Sequence, residues 1–90
     1  MVQYEITVTG RVQGVGFRYF TKKQADILNL KGWVKNTSTG NVLVMVQGDK
    51  ELINTFTDYL RIGPTMSRVT KVISAPVALT ESFPDFRVKY

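Results

Sequence analysis

The chain has 90 residues, of which 43% are hydrophobic and 21% charged, a composition that predicts one globular domain over residues 1–90. It contains no cysteine and no histidine, which excludes disulfides, thiolate chemistry, imidazole bases and the usual zinc ligands. The formal net charge of +5 favours an anionic partner, whether a small phosphorylated molecule, nucleic acid or membrane headgroups.

The first two predicted elements are a strand and a helix. Apolar and polar residues alternate from Val2 to Val8, and this period of two predicts a strand with one face on the core. The spacing becomes helical from Phe17 to Leu28. Asn29 tolerates the left-handed conformation, so we expect it to end the helix.

A β-hairpin is predicted next, with strands over Trp33–Thr37 and Asn41–Gln47 and a turn at Thr37–Gly40. In the second strand Leu43 and Met45 point away from the face formed by the valines. This strand is therefore either covered on both sides or leaves two apolar residues on an open sheet face.

The second half of the chain predicts a helix over Lys50–Ile62, capped by Asp49 and ended by Gly63 before a proline. A weaker strand follows over Arg68–Ala75, where two valines three residues apart require a bulge or two covered faces. Residues 76–84 are predicted to form a loop, and alternation over Phe86–Tyr90 predicts a short terminal strand.

The order βαββαβ, with this short strand added, predicts an α+β fold of the ferredoxin-like type. Two split units that cross over right-handed form one antiparallel sheet with both helices on one face. The first two strands are then parallel, and their carboxyl ends lie at one edge of the sheet. The segment Gly10–Arg18 leaves the first strand there, and Asn36 lies at the end of the second.

The segment GRVQGVGFR, residues 10–18, is the first candidate site. Its three glycines allow positive φ and close approach to a ligand, so several N–H groups can turn toward an anion. The helix that begins near Phe17 adds its positive end, and the guanidinium of Arg18 can bind two phosphate oxygens. The alternative is an ordinary glycine-rich turn with Arg18 on the surface, since the spacing matches neither nucleotide-binding motif.

Asn36 is the second candidate, because asparagine is unusual inside a short strand and its amide can both donate to and accept from a water. Alternatively it starts the hairpin turn. Asp26, Asp49 and Glu5 are not arranged for metal binding or acid–base work, so we expect no metal and no cofactor. The aromatic side chains that we expect in the core are Tyr4, Phe20, Trp33 and Phe56.

Two stretches resemble the signatures of the acylphosphatase family: GRVQGVGFR at residues 10–18, and GWVKN at residues 32–36 followed by Gly40, Val42 and Gly48. The similarity continues through Gly63-Pro64 and the terminal strand. It implies hydrolysis of the carboxyl–phosphate bond of acyl phosphates, with Arg18 and Asn36 as catalytic residues and Thr37 assisting Asn36. The implied phosphate-binding residues are Arg11, Val12, Gln13, Gly14, Val15, Gly16, Phe17 and Arg18.

The sequence also bears on alternative functions, on binding partners and on cellular location. The alternatives are a non-catalytic phosphate-binding or nucleic-acid-binding module, or an acylphosphatase-like domain that serves a larger process; a chain that ends just after its last strand favours a stand-alone enzyme. Nucleic-acid binding is disfavoured, because the basic residues are scattered and residues 42–47 contain no aromatic side chain. We expect a cytoplasmic monomer without a membrane segment, with inorganic phosphate and other small anions as competing ligands.

Overall fold

Seven regular elements follow one another in the computed structural model, which describes residues 1–90. The strands are β1 (Val2–Arg11), β2 (Lys31–Asn36), β3 (Val42–Gly48), β4 (Arg68–Val77) and β5 (Phe86–Lys89), and the helices are α1 (Phe17–Ile27) and α2 (Lys50–Ile62). The bounds of α2 are those predicted, and the Asp49 carboxylate caps it by accepting a hydrogen bond from the Glu51 N–H at 2.9 Å. Asn29 follows α1 with a φ of 56°, which confirms the left-handed residue predicted there. Neither helix has the length and apolar character that crossing a bilayer requires.

The strands form one sheet in the order β4-β1-β3-β2-β5. Both β1 and β2 pair antiparallel with β3, so they run in the same direction and their carboxyl ends share one edge, as predicted. The ferredoxin-like α+β fold is confirmed. One detail differs from the prediction of an antiparallel sheet, because the added strand β5 pairs parallel with β2 and makes the sheet mixed.

The core lies between the sheet and the two helices, which pack on the same face. It contains 14 buried apolar residues. Ile6 and Val44 from the central strands meet Ala25 from α1 and Phe56 from α2, all fully buried. Burial of such side chains stabilises the fold by roughly 1.5–3 kcal/mol each. This layer holds both helices in place and so fixes where α1 begins.

Trp33 is not in the core, contrary to the prediction from its apolar character. Gly32 and Val34 are buried beneath the helices, so the intervening Trp33 points to the other face of the sheet, where it is partly buried. We refer to this helix-free face as the open face. Its residues, read from the strand register, are Glu5, Thr7, Thr9, Trp33, Lys35, Leu43, Met45, Lys71, Ile73, Ala75, Arg87 and Lys89.

The strands β2 and β4 differ in their bounds from the prediction. The strand β2 begins at Lys31 rather than Trp33 and ends at Asn36. The strand β4 continues to Val77, so the loop predicted from Pro76 begins after this residue. Proline is tolerated at this position because β4 is an edge strand and not every N–H must pair with a neighbour.

The irregular pattern of β4 corresponds to a bulge. Thr9 pairs with Lys71 but Gly10 pairs with Val69, which leaves one extra residue on β4. Gly10 has a φ of 129°, and a Cβ atom added to it would collide with the carbonyl oxygen of Arg68. Glycine is therefore required where β1 leaves the sheet toward the loop that follows.

Candidate active site

A cavity of about 210 Å³ opens at the edge where β1 and β2 end. It lies at the junction of the β1–α1 loop, the first turn of α1, the end of β2 and the end of the chain. The residues that line it are Val12, Gly14, Gly16, Phe17, Arg18, Tyr19, Asn36, Val88 and Tyr90. The structure thus brings Arg18 and Asn36 to one cavity, although 18 positions separate them in the sequence.

The β1–α1 loop presents a run of free donors. Gly14 and Gly16 have φ values of 72° and 78°, and Gly16 is the N-cap of α1 without a side chain that could cap the helix. None of the backbone N–H groups from Gln13 to Tyr19 donates to an acceptor within the protein. Open space surrounds both glycine Cα atoms on the side where a Cβ would project. Free donors together with the positive helix end favour an anion at this position.

Arg18 is the second residue of α1, so it lies at the positive end of this helix. Its side chain is partly buried, and Nη1 donates to the carbonyl oxygen of Lys89 at 3.1 Å. The guanidinium carbon lies 4.7 Å from the ring centroid of Tyr90, within cation–π distance. Two contacts from the end of the chain thus restrain the guanidinium, and no carboxylate lies within salt-bridge distance of it.

Asn36 is the last residue of β2, and its Oδ1 atom is buried without a hydrogen-bond partner. It is the one buried side-chain oxygen or nitrogen in the chain that lacks a partner. An unsatisfied buried acceptor costs roughly 1–3 kcal/mol. Such an atom in the wall of a cavity is suited to accept a hydrogen bond from a water or a ligand.

Gln13 has a role that its position in the loop did not predict. Its Nε2 donates to the carbonyl oxygens of Thr37 at 2.8 Å and Asn41 at 2.9 Å, which ties the loop to the β2–β3 hairpin. Its side chain does not line the cavity. Gln13 therefore fixes the distance between the loop and Asn36, and the sequence carries no signal for this contact across 24 positions.

The remaining residues predicted for the site lie around the cavity. Val12 is buried in the core, and Val15 packs against it. Arg11 is exposed at the end of β1. Thr37 does not line the cavity; its hydroxyl accepts from the Asn41 N–H at 3.1 Å and lies 3.0 Å from the hydroxyl of Thr39. Thr37 thus organises the turn that follows Asn36.

Three cavity residues had not been considered as site residues. Tyr19 is 73% exposed on α1, while Val88 and Tyr90 enter the site because β5 pairs parallel with β2. Of these three residues, only Tyr19 could have been assigned to the cavity from sequence, because it directly follows Arg18 at the start of the helix. No group of three or more Asp or Glu side chains is close enough to hold a metal ion.

Comparisons with known proteins agree with this geometry. Residues 4–88 match the family model of the acylphosphatases. An acylphosphatase of Bacillus subtilis is 39% identical over 90 residues, which cover 100% of this chain and 99% of the relative. The crystal structure of acylphosphatase from Bacillus subtilis superposes with a TM-score of 0.96 over the whole of both chains, at 39% identity. A structure of full-length HypF in a phosphate- and nucleotide-bound form matches at a TM-score of 0.91 and 31% identity, over 99% of this chain but only 12% of HypF.

Proposed function

Because the chain belongs to the acylphosphatase family, whose function is the hydrolysis of acyl phosphates, we propose that the cavity at the sheet edge is where it carries out this reaction. One observation supports the proposal above all others. Gly14 and residues 16–19, which belong to the run of free N–H donors, line the same cavity as Asn36, whose Oδ1 has no partner. A phosphoryl group, which only accepts hydrogen bonds, complements the donors, and a water molecule complements the acceptor.

In the proposed complex, the free N–H groups of residues 13–19 and the start of α1 bind the phosphoryl oxygens. Arg18 contributes a fork of donors to the same group and stabilises the charge that develops in the transition state. The residues inferred to surround the phosphate remain those predicted, Arg11 to Arg18, with Gln13 acting through its hydrogen bonds to the hairpin.

Asn36 is proposed to position the nucleophile. Its Oδ1 accepts a hydrogen bond from a water, and this orients a lone pair of the water oxygen toward phosphorus. The water oxygen forms the new P–O bond while the bond from phosphorus to the acyl oxygen breaks, and the carboxylate leaves with the bonding electron pair. The proton of the water passes to a phosphate oxygen. Thr37 assists indirectly, because its hydroxyl fixes the turn next to Asn36.

The reaction needs few catalytic groups, because the carboxylate is a good leaving group. A carboxylate with a pKa of about 4 to 5 departs without a proton, so no general acid is required. Catalysis then depends on positioning and charge stabilisation, which backbone donors, a helix end and one arginine can supply. This accounts for an active site without histidine, cysteine or a cluster of carboxylates.

The family function makes small acyl phosphates the substrates, and the finer expectations are proposals. Since the site binds mainly the phosphoryl group, we expect it to accept a range of acyl groups. We also propose a monomeric enzyme in which residues 1–90 form one domain. Competition by inorganic phosphate and a cytoplasmic location also remain predictions.

Hydrolysis of benzoyl phosphate in ¹⁸O-labelled water, with EDTA present, tests the proposed function. Attack on phosphorus places the label in inorganic phosphate, whereas attack on the carbonyl carbon places it in benzoate. We expect label in phosphate only, undiminished turnover in EDTA and competitive inhibition by inorganic phosphate. Label in benzoate would contradict the proposed attack, and loss of turnover in EDTA would contradict metal independence.

A further inference from the structure

The open face combines an aromatic side chain with unpaired cations. Trp33 lies between Met45 and Arg87 across the strands, and in the next row Lys35 lies between Leu43 and Lys89. Two rows of paired residues therefore surround one partly buried indole with apolar and basic side chains. The 78–85 loop covers the far end of this face, where Gln47 is fully buried.

The lysines of the open face have no ion pairs. Lys35, Lys71 and Lys89 are exposed, and no carboxylate lies within salt-bridge distance of any of them. Arg87 is different, since its Nε donates to Asp85 at 2.7 Å. Glu5 is the single carboxylate among the strand residues of this face, and Asp85 from the preceding loop lies close to Trp33 and Arg87. The face therefore keeps an excess of positive charge, carried by three lysines without ion pairs.

Two of these lysines are positioned by the indole ring. The Nζ atom of Lys89 lies 4.5 Å from the ring centroid of Trp33, and that of Lys35 lies 5.4 Å from it. Both distances are within the range of cation–π attraction. Both ammonium groups lie over the ring, so a base can stack on Trp33 only when these lysines move aside and pair with phosphates. A ring with cations next to it is the combination that binds single strands, in which a base stacks on the ring and cations follow the backbone.

We propose that the open face binds single-stranded nucleic acid, with one base stacked on Trp33 and nearby phosphates paired with Lys35 and Lys89. Lys71, three strands away across the sheet, pairs with a phosphate further along the strand. The sequence argued against such binding, because β3 carries no aromatic residue, but the register places Trp33 on the adjacent strand opposite Met45. Sheets of this fold class bind RNA through aromatic residues on the same face. The site shares no side chain with the cavity and does not depend on the proposed function.

The shape of the open face favours a single strand over a membrane or a duplex. Trp33, Leu43 and Met45 are partly buried within the sheet, so they do not protrude far enough to insert into a bilayer. No helix lies on this face, so it has no helix to enter the major groove of a duplex. A flat, basic surface with one accessible ring is suited to an unpaired base.

Titration with a short oligothymidylate tests the proposal directly. Trp33 is the only tryptophan, so its emission reports on stacking at this site alone. We expect quenching of this emission, with a Kd on the order of 10⁻⁵ M at physiological salt. The plot of log K against log salt should have a slope of about −2, because each of three neutralised phosphates on a single strand contributes about 0.7.

Variants of the open face distinguish the contribution of base stacking to binding from the contribution of charge. Trp33→Leu should weaken binding about 10-fold. Lys35→Gln combined with Lys71→Gln should reduce the salt slope by about 1.4, again at 0.7 for each lost phosphate contact. The matched control is Lys50→Gln, an exposed lysine of α2 in the helix layer, which should leave both affinity and slope unchanged. Lys89 is left intact so that the segment whose backbone carbonyl accepts from Arg18 is not disturbed.

The proposal is overturned if oligothymidylate does not bind, or if the Lys50 variant loses as much affinity as the variants of the open face. It is also overturned if heparin, a duplex or phosphatidylserine vesicles bind more tightly than the single strand without quenching Trp33. If Trp33→Leu does not fold, quenching in the wild-type protein and the paired lysine variants still decide the question. Benzoyl phosphate hydrolysis should persist in these lysine variants, whatever the outcome for nucleic acid.

Discussion

The cavity and the open face are built from the same sheet, yet they present positive charge in different ways. In the cavity the donors are mainly backbone N–H groups held by Gly14, Gly16 and the start of α1. On the open face the charge comes from flexible lysine side chains beside Trp33. The cavity therefore has a fixed geometry, whereas the open face has an adaptable one.

This difference predicts how each region responds to change. Preorganised donors lose most of their effect when their geometry is altered, because they stabilise one arrangement of charge. Exposed lysines act mostly through screened, long-range attraction, so each contributes little alone. Substitutions in the cavity should thus have large effects on hydrolysis, and those on the open face should have almost none.

The largest effect is expected for Arg18→Lys. Lysine keeps the positive charge but lacks the planar fork, so we expect kcat/KM to fall about 10³-fold. Steady-state hydrolysis of benzoyl phosphate measures this loss, and thermal unfolding checks that the fold persists. Activity equal to that of the wild type would mean that charge alone suffices and that the contrast between the two regions is wrong.

Asn36→Ala should lower kcat about 10²-fold, as is typical when one preorganised hydrogen-bonding group is removed. The affinity for inorganic phosphate should not change, because Asn36 is assigned to the water and not to the phosphoryl group. Calorimetric titration with phosphate provides that control. A large loss of phosphate affinity with little change in kcat would reassign Asn36 to ligand binding.

A smaller effect is expected for Gly16→Ala, which tests the backbone donors. A side chain at a φ of 78° costs roughly 1–2 kcal/mol, and relief of this strain would turn the loop N–H groups away from the phosphate. We expect an affinity for inorganic phosphate about 10-fold weaker, which corresponds to 1.4 kcal/mol. Gly40→Ala is the matched control, with a φ of 90° and open space in the hairpin turn. It should lose similar stability but keep its phosphate affinity, and equal losses of affinity would point to general destabilisation.

The smallest effect is expected for Lys71→Gln on the open face. Because this lysine is exposed and lies outside the cavity, only weak steering of the anionic substrate is lost, and kcat/KM should change less than about 2-fold. Hydrolysis measured at low and high salt would detect such steering. A 10-fold loss would show that the open face takes part in the reaction, and the two regions would no longer be separable.

Much of the fold could be predicted, because local patterns carry it. The helix Lys50–Ile62 has a capping aspartate, an apolar stripe and a terminal glycine, and its bounds were predicted as observed. Trp33 shows the limit of that reasoning. Its apolar character favoured the core, but the alternation of Gly32 and Val34 placed it on the open face. For the position of Trp33, the residue type was a weaker guide than the alternation of side chains along the strand.

The candidate site could be inferred in part for the same reason. The glycines and Arg18 are adjacent in sequence, so their cooperation could be inferred locally. Asn36 required the direction of two strands, which the βαββαβ order supplied. The contacts of Gln13 with the hairpin and of Arg18 with Lys89 cross 24 and 71 positions. No periodicity indicates such pairs, because the first depends on how the loop packs against the hairpin and the second on how β5 pairs with β2.

The sequence by itself determined the order of elements, the loop able to face an anion and the absence of histidine and cysteine chemistry. Backbone preferences and side-chain periodicity are local properties, so both can be inferred from the sequence. The tertiary structure alone decided that Tyr90 stacks on Arg18, that Asn36 Oδ1 is left without a partner, and that two lysines lie beside Trp33. These features depend on packing between distant segments, where strand register and burial determine which groups meet.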